Sequence, residues 1–283
     1  METIQSLKNP KIKQAVRLMS SAKARREDGL FVLEGLRLCM DVVRTGLRAQ
    51  SLFMTESEYE RNKEDLDRLS EVSEETFIIS ESVSEKLSDT RNPQGVYCVL
   101  RTLDKQDSGN KIEATWTGKK LLLLENVQDP ANLGAVSRTA EALGIDGLIV
   151  SGGCDITGPK ALRASMGALL RIPVYLTDDV KKTIQTAKEN GFKTYASTPD
   201  SGAVKITDAD FCGCVLCVVG NEANGVTEEV QRCCMERITI PMAGRAESLN
   251  AGAAASILMW EMVKPDEKTE LLDLDAEGIR NKC

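Results

Sequence analysis

Short apolar runs alternate with amphipathic stretches along most of the chain, the arrangement expected of an α/β protein. In the first hundred residues the runs are LFVLEG, SLFMT, TFIIS and GVYCVL, separated by charged stretches of helical period. Asn9 and Pro10 predict the start of a helix that runs to about Glu27, with Gly29 ending it. A further helix is predicted from Glu34 to Thr45. Residues 1–100 therefore read as a small α/β domain. Residues 101–118 are polar and hold no sustained period, which predicts a linker.

From Lys119 the apolar runs grow longer: LLLLEN, GLIVSG, IPVYL, KTYAST and VLCVVG, with RITIPM as a sixth candidate strand. Nearly continuous apolar strands interleaved with helices predict a parallel sheet covered on both faces. Asp129 and Pro130 predict a helix start and Gly144 its end, and another helix opens near Asp178 and closes at Gly191. Residues 119–264 read as a second domain, and the acidic stretch 265–283 as a peripheral tail.

Composition narrows the chemistry. The chain has no histidine, so serine–histidine and cysteine–histidine nucleophile systems and imidazole bases are excluded. Nine cysteines are present, but Cys212, Cys214 and Cys217 fall in one apolar run and Cys233 and Cys234 are adjacent. Neither spacing suits a zinc site, so no metal is expected and the thiols read as reduced and mostly buried. No run of eighteen apolar residues predicts a membrane span, and METIQSLKNPKIK lacks the apolar core of a secretory signal. The expected location is cytoplasmic.

A net charge of −7 argues at first against a nucleic-acid partner. Its distribution argues the other way. Ten lysines and arginines face five acids over residues 1–50, whereas twelve acids face four bases over 51–90. A local basic face binds phosphate even on an acidic protein, because screening limits each charge to roughly 8–10 Å. Lys8, Lys11, Lys13, Arg25 and Arg26 are the candidate phosphate contacts, although a solvated amphipathic helix would carry the same residues. Aromatics make up 4% of the chain, too few for base stacking to dominate recognition.

Three segments carry the candidate chemistry. In LLLLENVQDPANLGAVSRTAEALG a strand turns into a helix at the kind of corner where open α/β sheets hold ligands. Leu133, Val136, Ala140 and Leu143 form the helix's apolar stripe, with Asn132 and Arg138 off it. In VLCVVGNEANGVTEEV two glycines flank an acid after an apolar strand, which suggests close backbone approach to a ligand. Neither a dinucleotide fingerprint nor a phosphate-binding loop is present. In ITIPMAGRAESLNAGAAASILMWEM a strand leads through a polar loop into a helix that starts with small residues. Taken singly, the segments also read as an ordinary βα unit, a glycine turn and a tightly packed alanine-rich helix.

Taken together and in order, they resemble the SpoU/TrmH family (SPOUT superfamily) of RNA 2′-O-ribose methyltransferases. The N-x-G-x-x-x-R element is Asn132, Gly134 and Arg138; the G-x-E-x-x-G element is Gly220, Glu222 and Gly225; the third comprises Ile240, Pro241, Met242, Glu247, Ser248, Leu249 and Asn250. IQSLKNPKIKQAVRL, KARREDGLFVLEG and SDTRNPQGVYCVL resemble the substrate-binding domain of the family's ribosomal-RNA branch. Two departures are Ala223–Asn224 after the acid and Ala251–Gly252 after Asn250, both small.

The resemblance implies a C-terminal parallel-sheet domain with a deep trefoil knot, joined to an L30e-like RNA-binding domain. It implies S-adenosylmethionine as methyl donor, held by Thr198, Gly220, Asn221, Glu222, Ile240, Met242, Leu249 and Asn250, and a homodimer as the working form. It implies Arg138 as the catalytic position, assisted by Asn132, Glu222, Ser248 and Asn250. Since arginines keep their charge at neutral pH, the implied role is stabilising a developing alkoxide and gripping the neighbouring phosphate. The implied substrate is ribosomal RNA of the large (23S) type. Transfer RNA, or a non-catalytic RNA-binding protein of ribosome assembly, are the alternatives. A nucleotide-cofactor α/β enzyme lacks its phosphate motifs here.

Overall fold

A computed structural model describes residues 1–102 and 119–264. The predicted linker lies outside the described residues from position 103 onward, as does the tail 265–283.

The N-terminal elements are β1 (Glu2–Ile4), α1 (Pro10–Ser20), α2 (Ala22–Asp28), β2 (Leu30–Glu34), α3 (Leu36–Arg44), β3 (Ala49–Thr55), α4 (Glu56–Arg61), α5 (Lys63–Glu71), β4 (Ser73–Ile79), α6 (Glu81–Leu87) and β5 (Val96–Arg101). Asn9 caps α1 by accepting from Lys11 N–H at 2.9 Å, and Pro10 fills the first turn. Ile12, Ala15, Leu18 and Met19 then bury one face. The single helix expected to Glu27 is broken: Ser21 turns to an extended backbone and its Oγ accepts from Ala24 N–H, starting α2. A hydroxyl that caps a new helix competes with continuing the old one. Gly29, with φ of +61°, ends α2 as expected.

These strands form a mixed five-stranded sheet, β1-β4-β3-β5-β2, with β5 antiparallel to both neighbours. Ile12, Leu18, Val32, Phe53, Phe77 and Tyr97 lie at its core, where Phe53 and Phe77 stack at 5.4 Å. The edge strand β1, three residues long, is too short to carry a periodic signal.

The remaining elements are β6 (Lys120–Glu125), α7 (Pro130–Leu143), β7 (Gly147–Ser151), α8 (Pro159–Ala164), α9 (Ala168–Arg171), β8 (Val174–Leu176), α10 (Val180–Glu189), β9 (Lys193–Ser197), β10 (Val204–Lys205), β11 (Val215–Val219), α11 (Glu228–Cys233), β12 (Glu236–Thr239) and α12 (Ala251–Val263). All six expected strands are present. β10, two residues long, was too short to read. The sheet order is β10-β12-β9-β11-β6-β7-β8 and every pairing is parallel. Leu121, Leu123, Ile149, Ala196, Leu216 and Val218 supply much of its core.

By packing, the described residues divide into two units. The first comprises 1–102 with Asp129–Arg138 and Cys154–Arg171; the second comprises 119–128, 139–153 and 172–264. The division passes through α7.

Candidate active site

In the second unit, parallel pairing brings the carboxyl ends of β6, β9, β11 and β12 to one edge of the sheet, the usual ligand edge of such folds. Loops leaving that edge hold every expected donor-binding residue. After β11, Gly220 lies so close to Gly225 and Val226 that a Cβ would overlap their backbone. This close approach closes the loop: Asn221 and Gly225 exchange backbone hydrogen bonds of 3.1 and 2.8 Å. The Asn221 side-chain oxygen accepts from Ala223 and Asn224 N–H, and its amide donates to Asn126 O at 2.9 Å. Glu222 is exposed, and its carboxylate accepts from Gln128 N–H at 3.1 Å.

Asn126 is the junction of this edge. Its φ of +56° is a left-handed conformation that asparagine tolerates better than most residues. Its side-chain oxygen accepts from Gln128 Nε2 at 2.7 Å and Gly153 N–H at 3.1 Å. One residue earlier, buried Glu125 accepts from both Thr227 N–H (2.9 Å) and its hydroxyl (2.7 Å). That fixes the start of α11, which Thr227 caps.

After β9, Thr198 N–H donates to Ile238 O at 2.9 Å, joining the β9 and β12 ends. Ile240 and Met242 are half-buried, whereas residues 243–250, Ser248 and Leu249 among them, are exposed. Asn250 caps α12, its side-chain oxygen accepting from Gly252 and Ala253 N–H. The expected helix start near 247–250 is thus the cap itself. The small residues Ala251, Gly252 and Ala255 are buried, and α12 packs on β6 and β11.

Asn132 and Arg138 lie in the first unit, Asn132 on the opening turn of α7 and Arg138 past its midpoint. Leu133 and Val136 are buried as the stripe requires, and Arg138 is exposed. Asn132 departs from the expectation. It lies off the stripe in periodicity yet is only 7% exposed. Gly134 faces Ala164 and Ser165, where a Cβ would come within 2.8 Å of Ser165 N and closer still to Ala164. The motif glycine is therefore a packing contact.

Among the candidate RNA contacts, Lys8, Lys13 and Arg26 are exposed. Lys11 pairs with Glu75 at 2.5 Å and sits over the Phe77 ring. Arg25 is a correction. It is 7% exposed, its guanidinium meets Asp155 at 2.8 Å and donates to Leu18 O and Met19 O, so it cannot face solvent or phosphate. Helical position alone gave no warning, because its acidic partner lies 130 residues away.

Sequence reasoning missed Asn126, Glu125 and Gln128 as loop-shaping residues. The available signal was an asparagine at a strand end, where left-handed backbone is common. Among the described cysteines, four are buried, three half-buried and Cys212 is exposed. Burial pushes the Cys217 thiol up and holds Cys234 at about 12, both poor nucleophiles. Among the described residues, no three His, Cys, Asp or Glu side chains are grouped to hold a metal, and no helix is long and apolar enough to cross a membrane.

The sequence matches the SpoU rRNA Methylase family over residues 119–260 and the MRM3-like substrate binding domain over residues 9–98. It is 30% identical to an uncharacterized tRNA/rRNA methyltransferase of Synechocystis, over 92% of each chain. It is 29% identical to the 23S rRNA (guanosine(2553)-2′-O)-methyltransferase RlmP of Bacillus subtilis, over 93% of this chain and 99% of that one. Its structure is similar to an AdoMet-bound rRNA methyltransferase from Sinorhizobium meliloti, with a TM-score of 0.80 and 27% identity over 92% of this chain and 97% of the other.

Proposed function

The chain belongs to the SpoU rRNA methylase family, and from that premise we propose that it transfers a methyl group from S-adenosylmethionine to a ribose 2′-hydroxyl of large-subunit (23S) ribosomal RNA. The observation that carries the substrate is the pairing of two matches on one chain, a methylase region and a substrate-binding region. The full-length likeness to a 23S rRNA 2′-O-methyltransferase supports it.

The donor supplies a sulfonium methyl group already activated by its charge, so the protein must orient the ribose oxygen and manage one proton. Backbone groups at Thr198, Gly220, Asn221, Ile240, Met242 and Leu249 hold the donor. The exposed, mostly small or neutral loop 243–250 suits an adenosyl group read through main-chain N–H and C=O. Glu222 shapes the donor loop through Gln128, and Asn250 fixes where α12 begins. Arg138 stabilises the charge developing on the ribose oxygen, and the proton leaves to phosphate or water. Asn132 and Ser248 are neutral groups that orient the ribose or Arg138. Lys8, Lys11, Lys13 and Arg26 contact phosphate, which gives salt-dependent RNA binding.

The same reading includes the family's trefoil knot in the C-terminal segment, an L30e-like fold for residues 1–100, action as a homodimer in the cytoplasm, and no requirement for metal. The parallel order with β11 between β6 and β9 supports the first of these.

Calorimetry with S-adenosylmethionine and its demethylated product tests donor binding, and mapping of 2′-O-methyl sites in RNA from cells with and without the gene tests the substrate. The expected result is uptake of both compounds and one site lost from 23S rRNA. No uptake would sink the enzyme reading; a site lost from transfer RNA alone would redirect the substrate.

A further inference from the structure

The stretch matching the methylase family gives two of its segments, Asp129–Arg138 and Cys154–Arg171, to the first unit. Their attachment is made by charge. Arg25 meets Asp155 at 2.8 Å, Arg163 reaches Asp89 at 2.7 Å and Glu34 at 3.6 Å, and Arg171 meets Asp41 at 2.6 Å. The Glu34 and Asp41 side chains are 1% and 2% exposed. Around Asp41 the fit is tight: a Cβ on Gly167 would overlap its carboxylate.

Such pairs add little net stability compared with apolar packing, because desolvation of the buried carboxylates offsets the attraction while Arg163, Arg171 and Asp89 stay partly exposed. What they do supply is direction, since a guanidinium and a carboxylate accept few relative placements. The segment so fixed is the one that receives α7. Ala164 and Ser165, next to Arg163, form the surface against which Gly134 lies, one helical turn before Arg138.

We infer that Arg163 and Arg171 are positioning residues for the methyl transfer: through Glu34, Asp89 and Asp41 they fix the α8–α9 segment, and with it the Arg138 turn of α7, in register with the basic N-terminal elements that capture RNA. This rests on the methyltransferase reading above. Neither arginine acts by touching RNA; each acts through the placement of Arg138.

Two features make the inference testable in the full chain. Without Arg163, Glu34 still accepts from Ser88, Asp89 N–H and Thr90. Without Arg171, Asp41 still pairs with Arg44 at 3.1 Å. Arg163→Gln and Arg171→Gln, singly and together, are assayed on large-subunit RNA from cells lacking the gene, with donor and RNA affinities measured separately. Since misplacement by about 1 Å costs on the order of 100-fold, the double variant is expected to lose about 10-fold or more in kcat. Donor and RNA affinities stay within about twofold, and Arg→Lys at both positions restores only part of the loss, because an ammonium keeps the charge but not the planar fork. If the double variant melts below the assay temperature, the single variants decide by the same pattern. A kcat within twofold of wild type overturns the inference, as does RNA affinity falling in step with kcat. Failure of the underlying reading shows differently: the unaltered protein itself takes up no S-adenosylmethionine.

Discussion

In the first unit, distant segments are fastened by guanidinium on carboxylate: Arg25 on Asp155, Arg163 on Glu34 and Asp89, Arg171 on Asp41. Along the carboxyl edge of the second unit's sheet, the equivalent work falls largely to neutral groups. Asn126 and Asn221 bridge loops through amides, and backbone N–H groups close on them. Under the proposed function, the difference follows from what each would present. A loop whose main chain is to be read by a ligand is best shaped by groups that bond backbone to backbone. A segment that must hold one charged side chain in register is better pinned by directional ion pairs. The carboxylates that do enter the second edge, Glu125 and Glu222, also accept from backbone N–H.

Substitutions that strike one unit and spare the other sharpen this contrast. The largest effect is expected from Arg138→Ala. Turnover should fall by about 100- to 1,000-fold, the scale of losing one charge-stabilising donor, while donor affinity measured by calorimetry stays near wild type. Loss of donor affinity in step with turnover would break the separation of roles.

Next come two of the motif glycines. Gly220→Ala drives a methyl group into the Gly225–Val226 backbone, and Gly134→Ala drives one into Ala164. Each is expected to cost about 1–3 kcal/mol or more by overpacking, read as a lower melting temperature. The signatures should differ: Gly220→Ala weakens donor binding, whereas Gly134→Ala lowers turnover with donor binding kept. If both weaken the donor equally, the contrast fails.

The smallest effect concerns alkaline pH. Burial raises Tyr97 from 10 to about 12, with its hydroxyl bonded to Ser84. Between these values the unfolded chain loses the proton and the folded one keeps it. Stability from this group is therefore complete below about pH 10 and declines as pH rises toward 12. Tyr97→Phe should flatten that part of the decline in thermal melts at pH 9 to 11.5, at some cost at neutral pH from the unpartnered Ser84. An unchanged alkaline slope would mean that other groups govern it, Tyr195 of the second sheet, raised likewise, being the first to test.

Much of this architecture was legible in one dimension. Strands such as LLLLE and VLCVV announce themselves because both faces are buried, and the helix starts expected at Asn9 and near Asp178 are capped by Asn9 and Asp179. The break at Ser21 was not legible, because a serine inside a helical period serves equally as a surface residue or a cap. The motif residues were found as types and spacings, but their neighbours were not. Asn250 proved to be a helix cap, Gly134 a packing contact, and Arg25 the buried partner of Asp155.

By itself the sequence determined the alternation of elements, the parallel second sheet and the family to which the chain belongs, since these depend on periodicity and on local order of residue types. Only the tertiary structure decided that Arg25 is buried, that Asn126 joins three loops, and that residues 154–171 pack with the first hundred. Most of those facts arise from pairings between residues distant in sequence, as far as 130 positions apart. A buried charge finds its partner through the folded chain, and no local pattern carries that information.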